Sequence, residues 1–372
     1  MVQSEVTGRG IRDPQVVRAM AEVPRHLFVP ARQRQYAYYD AALPLGYGQT
    51  ITSPYVVAFM TEQLEPQPTD RILEIGTGSG YQAAILSRIV AEVYSIEIVE
   101  PLGKRAARTI SQLGYENVHT KIGDGYQGWP EHAPFDKIIV TCSPEKVPPA
   151  LVAQLKEGGR LVVPLGQRFQ QTLFLFRKVG GKLEKEKLEA TFFVPMTGQA
   201  EQLRVKKDDS GWPELVNGGF EDLAADGEPV GWFYLRRAKV IPEPSAPEGQ
   251  HVLTLSNAAA GQHSHAIQAF GIDGRVVGSL DLSAHVRISN IGGVTNRKML
   301  PKVEISFYDE NRGSIRTAGL GPWQQDSAWK HHRIEIPVPG RARLATIAVG
   351  MFGATGQAEF DQITVRGRAK RP

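Results

Sequence analysis

The chain of 372 residues, 41% hydrophobic and 22% charged, is too long for one ordinary core and predicts two or three domains of ~100–200 residues each. Its net charge of +4 is spread evenly, with 25 Lys+Arg against 23 Asp+Glu in residues 1–210 and 18 against 16 in residues 211–372, which excludes a basic domain devoted to nucleic acid or membrane. No apolar run approaches the ~20 residues that cross a bilayer, and the single cysteine, Cys142, excludes an internal disulfide framework and a Cys-based zinc site.

Residues 12–38 read as two short helices separated by Pro24, with Val16, Val17 and Met20 on the first and Leu27, Phe28 and Val29 on the second. Tyr36, Tyr38 and Tyr39 read as aromatic packing under a loop. At Thr52-Ser53-Pro54 a proline at the first helical position and a serine N-cap predict a helix start. That gives Ser53 a structural task and leaves Thr52 without one. A hydroxyl just outside a helix N-terminus suits a carboxylate.

Ile72, Leu73 and Ile75 form a short buried strand, and Gly76, Gly78 and Gly80 turn it sharply into a helix over 81–90. The glycines remove Cβ atoms that would hold a ligand off the backbone, while the new helix presents unpaired N–H groups. Two details select the cofactor. The spacing is Gly-x-Gly-x-Gly and not the Gly-x-Gly-x-x-Gly of a pyrophosphate site, and Glu74 precedes the turn, where a carboxylate repels phosphate and favours a cationic or zwitterionic ligand. Glu97, ending a strand over 92–97, stands where doubly wound folds keep an acid for ribose hydroxyls, about 20 residues downstream. The set fits S-adenosylmethionine better than NAD.

A helix over 101–113 and a strand over 118–122 continue the β-α-β alternation of a mainly parallel sheet. Asp124-Gly125 ends that strand at the ligand-binding edge; Asp124 reads either as an acceptor for an adenine amino group or as a plain Asp-Gly turn. Residues 135–144 supply a fourth strand and its loop Thr141-Cys142-Ser143-Pro144, in which Cys142 reads as a packing residue and not a nucleophile. A helix over 148–156, stopped by Gly158-Gly159, precedes a strand over 160–165. Residues 171–178 and 187–194 alternate as an antiparallel pair around Gly180-Gly181.

From 206 to 219 the chain turns polar and Gly/Pro-containing, which marks a boundary. Beyond it, strand-like segments recur at 251–255, 266–270, 277–288, 302–308, 332–338, 344–351 and 359–365, predicting an antiparallel β-sandwich. The expected organisation is a domain over 1–205 with N-terminal helices, a linker over 206–216 and a β-sandwich over 217–372.

Gln49-Thr-Ile-Thr-Ser-Pro54, Leu73-Glu-Ile-Gly-Thr-Gly-Ser-Gly-Tyr81, Gly123-Asp-Gly-Tyr-Gln-Gly-Trp-Pro130, Ala133-Pro-Phe-Asp136 and Val194-Pro-Met-Thr197 stand in one order. With them the first ~200 residues closely resemble the protein-L-isoaspartate (D-aspartate) O-methyltransferase family. The resemblance implies a Rossmann-like, doubly wound methyltransferase fold and transfer of a methyl group from S-adenosylmethionine to isoaspartyl, and D-aspartyl, residues of damaged proteins or peptides. It implies cofactor contacts from Gly76, Thr77, Gly78, Ser79, Gly80, Glu97, Asp124 and Gly125, a donor-side loop of Thr141, Cys142 and Ser143, and closure by Thr197 and Gln202. The family's usual Thr-Ile-Ser-x-Pro has Thr52 at the serine position here, with Ser53 one later. Position nominates Thr52 as the active-site hydroxyl; side-chain identity nominates Ser53.

Asn217-Gly-Gly-Phe-Glu221, Pro229-Val-Gly-Trp232 and Phe360-Asp361-Gln-Ile-Thr-Val look like the opening and closing strands of carbohydrate-binding modules, jelly-roll-like sandwiches of galactose-binding-like fold. That resemblance implies a glycan or protein ligand and nominates Glu221 and Asp361 for a structural calcium, though no metal is assigned on two carboxylates. Trp323 and Trp329 read as sugar-stacking or interior residues. His263, His265, His331 and His332 form no metal spacing.

A glycan- or surface-binding protein with a vestigial methyltransferase half is the alternative class, opposed by the intact glycines. Methyl transfer to amino groups or nucleic acid calls for an Asn/Asp-Pro-Pro-aromatic stretch where Thr141-Cys-Ser-Pro stands. A tailoring enzyme that methylates ordinary aspartate is a variant of the first reading. Nucleic-acid and membrane partners are not expected. The N-terminal segment lacks an apolar leader, so the expected compartment is the cytoplasm, with periplasm or export open if a leader has been removed.

Overall fold

Apolar runs at 71–75, 92–97 and 135–140 become the central strands of a mainly parallel sheet in the computed structural model, which describes residues 1–167, 170–203, 211–225, 227–310 and 312–370. The chain divides into two compact units, Met1–Val205 and Lys206–Pro372. The expected linker lies outside the described residues as far as 210.

In the first unit, α1 (Pro14–Glu22) starts where Asp13 accepts hydrogen bonds from the Gln15 and Val16 amides, and it buries Val16, Ala19 and Met20. The second expected helix does not form. Residues Arg25–Phe28 and Ala31–Tyr36 make short 3-10 turns, each entered from a proline, Pro24 or Pro30, whose fixed φ and missing N–H interrupt a continuous helix. A hairpin that periodicity did not reveal follows, β1 (Leu43–Gly46) with β2 (Gln49–Ile51), and then α2 (Pro54–Gln63).

The alternation continues as β3 (Arg71–Ile75), α3 (Tyr81–Ser87), β4 (Glu92–Glu97), α4 (Glu100–Gln112), β5 (Val118–Ile122), β6 (Phe135–Val140), α5 (Pro149–Gln154), β7 (Leu155–Gln167), β8 (Gln170–Val179), β9 (Lys182–Thr191) and α6 (Gln199–Gln202). The sheet order is β5-β4-β3-β6-β7-β8-β9, parallel through β7 and antiparallel beyond it. Order reverses at β3, with β4 on one side and β6 on the other. The crevice outside the carboxyl ends of β3 and β6 is therefore the ligand site such sheets provide.

Two boundaries differ from expectation. Helix α5 ends at Gln154, and Gly158-Gly159 lie inside β7, beside a register shift against β6, so they bend a strand and do not stop a helix. Strand β9 begins at Lys182 and not at 187, because Gly180 and Gly181, both at positive φ, close a tight turn that pairs Val179 with Lys182.

The second unit consists of two five-stranded antiparallel sheets around one core. One has the order β10 (Phe233–Arg236), β13 (His263–Gly271), β18 (Leu344–Phe352), β15 (Lys302–Tyr308), β16 (Ser314–Leu320). The other is β11 (Ala238–Pro242), β12 (His251–Asn257), β19 (Thr355–Ala369), β14 (Val277–Gly292), β17 (Ser327–Pro337). Strict alternation on β14 and β15 turns Leu280, Leu282, Ala284, Val286, Val303, Ile305 and Phe307 inward. Strands β10, β11 and β16 escaped the sequence pattern. All three are sheet edges, and β10 and β11 are further broken by positive φ at Tyr234 and Arg237.

The segments that resemble carbohydrate-binding modules build one corner. Trp232 Nε1 donates to the Asn217 carbonyl at 2.9 Å, and its ring packs on Phe220 with centroids 5.2 Å apart. Glu221 accepts the Gln250 and His251 amides, and buried Asp361 accepts those of Glu248 and Gln362. These carboxylates are spent on backbone donors. Among the described residues no group of three or more His, Cys, Asp and Glu gathers as a metal site. Trp323 packs on Phe360 and His332, whereas Trp329 lies over the Arg287 guanidinium, 4.9 Å from the ring centroid. No helix among the described residues is long and apolar enough to cross a membrane.

Candidate active site

A cleft of ≈ 770 Å³ opens at the carboxyl ends of β3 and β6. Its floor is the turn after β3, where Gly76, Gly78 and Gly80 have φ of 101°, 55° and 86°. These are left-handed values that side chains resist. A Cβ on Gly76 would stand 2.5 Å from Thr141 Oγ1, and one on Gly80 would stand 3.0 Å from Ile110 Cδ1, so both positions also lack room. Thr141 Oγ1 donates to the carbonyl of Gly76 at 2.7 Å and lies 3.0 Å from that of Ile75, which welds the β6 loop to the β3 turn.

Glu97 fixes the turn from the neighbouring strand. Its Oε2 accepts the Gly78 amide at 2.7 Å and its Oε1 the Val99 amide at 2.8 Å. Glu74 is fully buried and accepts from Ser95 Oγ at 2.5 Å, and Ser95 Oγ also lies 2.6 Å from Thr77 Oγ1. Burial pushes the Glu74 carboxyl up to about 8, against the pull of the Ser95 hydrogen bond, with Glu97 adding to the rise. Burial thus works against the standing negative charge that the sequence reading gave Glu74. Glu74 is among the cleft-lining residues, and its buried Oε1 has no hydrogen-bond partner. A buried orphan acceptor, a glycine floor without Cβ atoms and a ribose-type carboxylate together fit a cationic nucleoside such as S-adenosylmethionine.

Residues 49–52, just ahead of α2, also line the cleft. Thr52 belongs to this lining; Ser53, 3% exposed, does not. Ser53 also fails in the capping role expected of it, since its side chain makes no cap hydrogen bond. The Tyr55 amide is taken instead by Asp40 Oδ1 at 3.0 Å, and Asp40 Oδ2 pairs with Arg9 at 2.9 Å, so a buried carboxylate from elsewhere caps the helix. The Thr52 carbonyl accepts from Arg25 Nη2 at 2.7 Å, while Arg25 Nε donates to Ala37 at 2.8 Å and the guanidinium faces the Tyr81 ring. Desolvation lowers Arg25 to about 10, which leaves it charged at neutral pH.

Thr77, Ser79, Gly125, Thr141, Cys142 and Thr197 also line the cleft. Gly80, Asp124, Ser143 and Gln202 do not. Asp124 Oδ1 accepts the Tyr126 amide at 2.9 Å and Oδ2 the Gln199 amide at 2.7 Å, so it staples the loop after β5 to α6. Ser143 pairs through its backbone with Val194 and Met196, holding the 194–197 segment over the cleft, and Gln202 is exposed on α6. Burial pushes the Cys142 thiol well up, in keeping with packing and not nucleophilic use. Periodicity missed Arg25, whose only signal was a cation between Pro24 and His26 in an otherwise apolar stretch, and also Gln49 to Ile51, Tyr81 and Val194, which line the cleft.

A parallel sheet carrying this glycine turn and paired acids at its switch point defines an S-adenosylmethionine-dependent methyltransferase. The model of the protein-L-isoaspartate(D-aspartate) O-methyltransferase family matches residues 1–201. The chain is 54% identical over 198 residues to the protein-L-isoaspartate O-methyltransferase of Opitutus terrae, covering 53% of this chain and 85% of that one. It is 52% identical over 201 residues to protein-L-isoaspartate O-methyltransferase 2 of Shewanella sediminis, covering 54% and 82%. A solved protein-L-isoaspartate O-methyltransferase structure superposes with a TM-score of 0.50 at 33% identity, over 54% of this chain and 67% of that one. The chain belongs to the protein-L-isoaspartate(D-aspartate) O-methyltransferase family, and its activity is that family's: methylation of isoaspartyl residues in damaged proteins with S-adenosylmethionine as donor. The second unit lies outside the match.

Proposed function

We propose that Thr52 supplies the hydroxyl that steers the isoaspartyl carboxylate, and that the Gly76 to Gly80 turn, Glu97, Gly125 and Thr141 cradle the donor. The observation that carries this is that Thr52 and the glycine turn line one cleft, whereas Ser53 is buried and does not line it. Bound S-adenosylmethionine supplies an electrophilic methyl group. The side-branch carboxylate of isoaspartate, with an ordinary pKa near ~3.5, is ionised at neutral pH and needs no general base. The chain's own work is alignment by the Thr52 segment and exclusion of water by the 194–197 segment. The amide nitrogen of the following residue then attacks the methyl ester without the enzyme and expels methanol, leaving a succinimide whose hydrolysis returns part of the damage to normal aspartate.

The test is labelled methyl transfer to an isoaspartyl peptide beside its aspartyl and D-aspartyl twins, on the full chain and on residues 1–205. The expected order is isoaspartyl far ahead, D-aspartyl weak and aspartyl silent, with the shorter chain equally active. Equal labelling of the isoaspartyl and aspartyl peptides overturns the proposal, and reversed preference supports the tailoring variant.

For the second unit the proposed role is that of a carbohydrate-binding module. It is supported by an open groove of ≈ 630 Å³ along the β15–β16 edge, where Arg297, Lys302 and Glu304 stand beside Gly319. Charged donors and acceptors beside apolar Val303, Leu320 and Pro322 suit a hydroxyl-rich ligand. A glycan array probed with the full chain tests it.

A further inference from the structure

Strands β1 and β2 pair Gly46 with Gln49, leaving Tyr47 and Gly48 as a two-residue connection. Both have positive φ, 55° and 70°, the pattern of a type I′ turn. The first such position favours Asn, Asp or Gly; a tyrosine is strained there. Its ring obtains nothing in return from the fold. Tyr47 is 64% exposed, the most exposed of the large hydrophobic side chains, and makes no hydrogen bond, ring contact or cation contact among the described residues.

The hairpin itself is firmly placed. Leu45 Cδ1 would lie 3.8 Å from a Cβ on Gly78, and the Leu45 carbonyl accepts from Arg105 Nη2 at 3.0 Å, so the first arm sits over the cofactor turn and is tied to α4. The second arm runs directly into the cleft-lining residues Gln49, Thr50, Ile51 and Thr52. A strained aromatic ring without a partner thus stands two residues ahead of the cleft-lining Gln49, on a hairpin held at two points.

We propose that Tyr47 is a substrate-specificity residue: its ring packs on the peptide residues that flank the isoaspartyl group. This rests on the isoaspartyl methyltransferase reading of the cleft. Flanking peptide backbone and side chains present apolar and π surface to an aromatic rim residue, and a tyrosine offers both a ring face and a hydroxyl to them. The contact is made with substrate alone, so it acts on peptide binding and leaves the donor's site untouched.

The experiment compares wild-type protein with Tyr47→Asn and Tyr47→Phe on an isoaspartyl hexapeptide, with S-adenosylmethionine affinity by calorimetry and melting temperature alongside. Asparagine is the residue the turn favours, so Tyr47→Asn keeps or raises the melting temperature and keeps donor affinity, while peptide KM rises about five- to tenfold with kcat within about twofold. Tyr47→Phe keeps KM within about twofold. An unchanged KM in Tyr47→Asn overturns the proposal, and so does a joint fall in melting temperature and donor affinity, which would make the tyrosine structural. Silence of the wild-type protein on the peptide would instead strike at the parent reading.

Discussion

The wholly buried Arg25 donates from Nη2 to the carbonyl of Thr52 at 2.7 Å, so the backbone of a cleft-lining residue is held by a side chain outside the cleft. The same guanidinium holds the Ala37 carbonyl and faces Tyr81, the first residue of the helix that follows the cofactor turn. Arg25→Met leaves two buried carbonyls without donors and costs about 2–4 kcal/mol of stability. Arg25→Lys keeps the charge but loses the fork, and is expected to raise peptide KM more than it lowers the denaturation midpoint. Urea denaturation with peptide kinetics on both variants checks this; wild-type stability in Arg25→Met would contradict it.

Thr52→Val is isosteric and removes only the hydroxyl. It is expected to lower kcat/KM for an isoaspartyl peptide by about 10- to 100-fold, the worth of one positioned hydrogen bond to a charged group, with donor affinity unchanged. Ser53→Ala removes a buried hydroxyl that caps nothing, so turnover stays within about twofold and stability within ~1 kcal/mol. Full turnover in Thr52→Val would reassign the hydroxyl.

Glu74 links donor binding to pH. A cationic ligand favours the carboxylate, and the ligand-free protein holds the proton up to about 8, so donor affinity rises with pH toward that value and levels off above it. Ligand-free stability runs the opposite way. The unfolded carboxyl ionises near 4.5 while the folded one stays protonated to about 8, so the folded state binds the extra proton in that window and stability falls as pH rises through it. Glu74→Gln should flatten both slopes. Calorimetric titrations and melts between about pH 6 and 9 decide the matter, and a wild-type affinity indifferent to pH would refute it.

Gly76→Ala places a methyl group 2.5 Å from Thr141 Oγ1 at a φ of 101°. Strain of ~1–2 kcal/mol and displacement of the β6 loop should weaken donor binding at least about tenfold. Gly48→Ala, also at positive φ but with no heavy atom within 4 Å of its Cβ, should pay the strain alone and keep donor affinity. Calorimetry on the pair separates crowding from conformation; equal losses would refute the distinction.

The parts of the site legible in the sequence were those whose chemistry is local. Gly76, Gly78 and Gly80 announce their backbone conformation, and Glu97 its distance from them. What escaped depends on contacts far apart in the chain. Asp40 caps α2 across 15 residues and made the serine N-cap at Ser53 look sufficient when it is not. Arg25 reaches Thr52 across 27 residues through an irregular stretch with no period to read. Edge strands such as β16 carry too little buried surface to leave an alternating mark.

Glu97 already accepts two main-chain hydrogen bonds before any donor molecule enters. A carboxylate offers about four lone-pair directions, so half remain for the sugar hydroxyls that the proposed cradle would meet. In that proposal docking adds bonds to an anchor that need not be rebuilt, and the entropy of freezing the turn is settled during folding and not at each catalytic cycle.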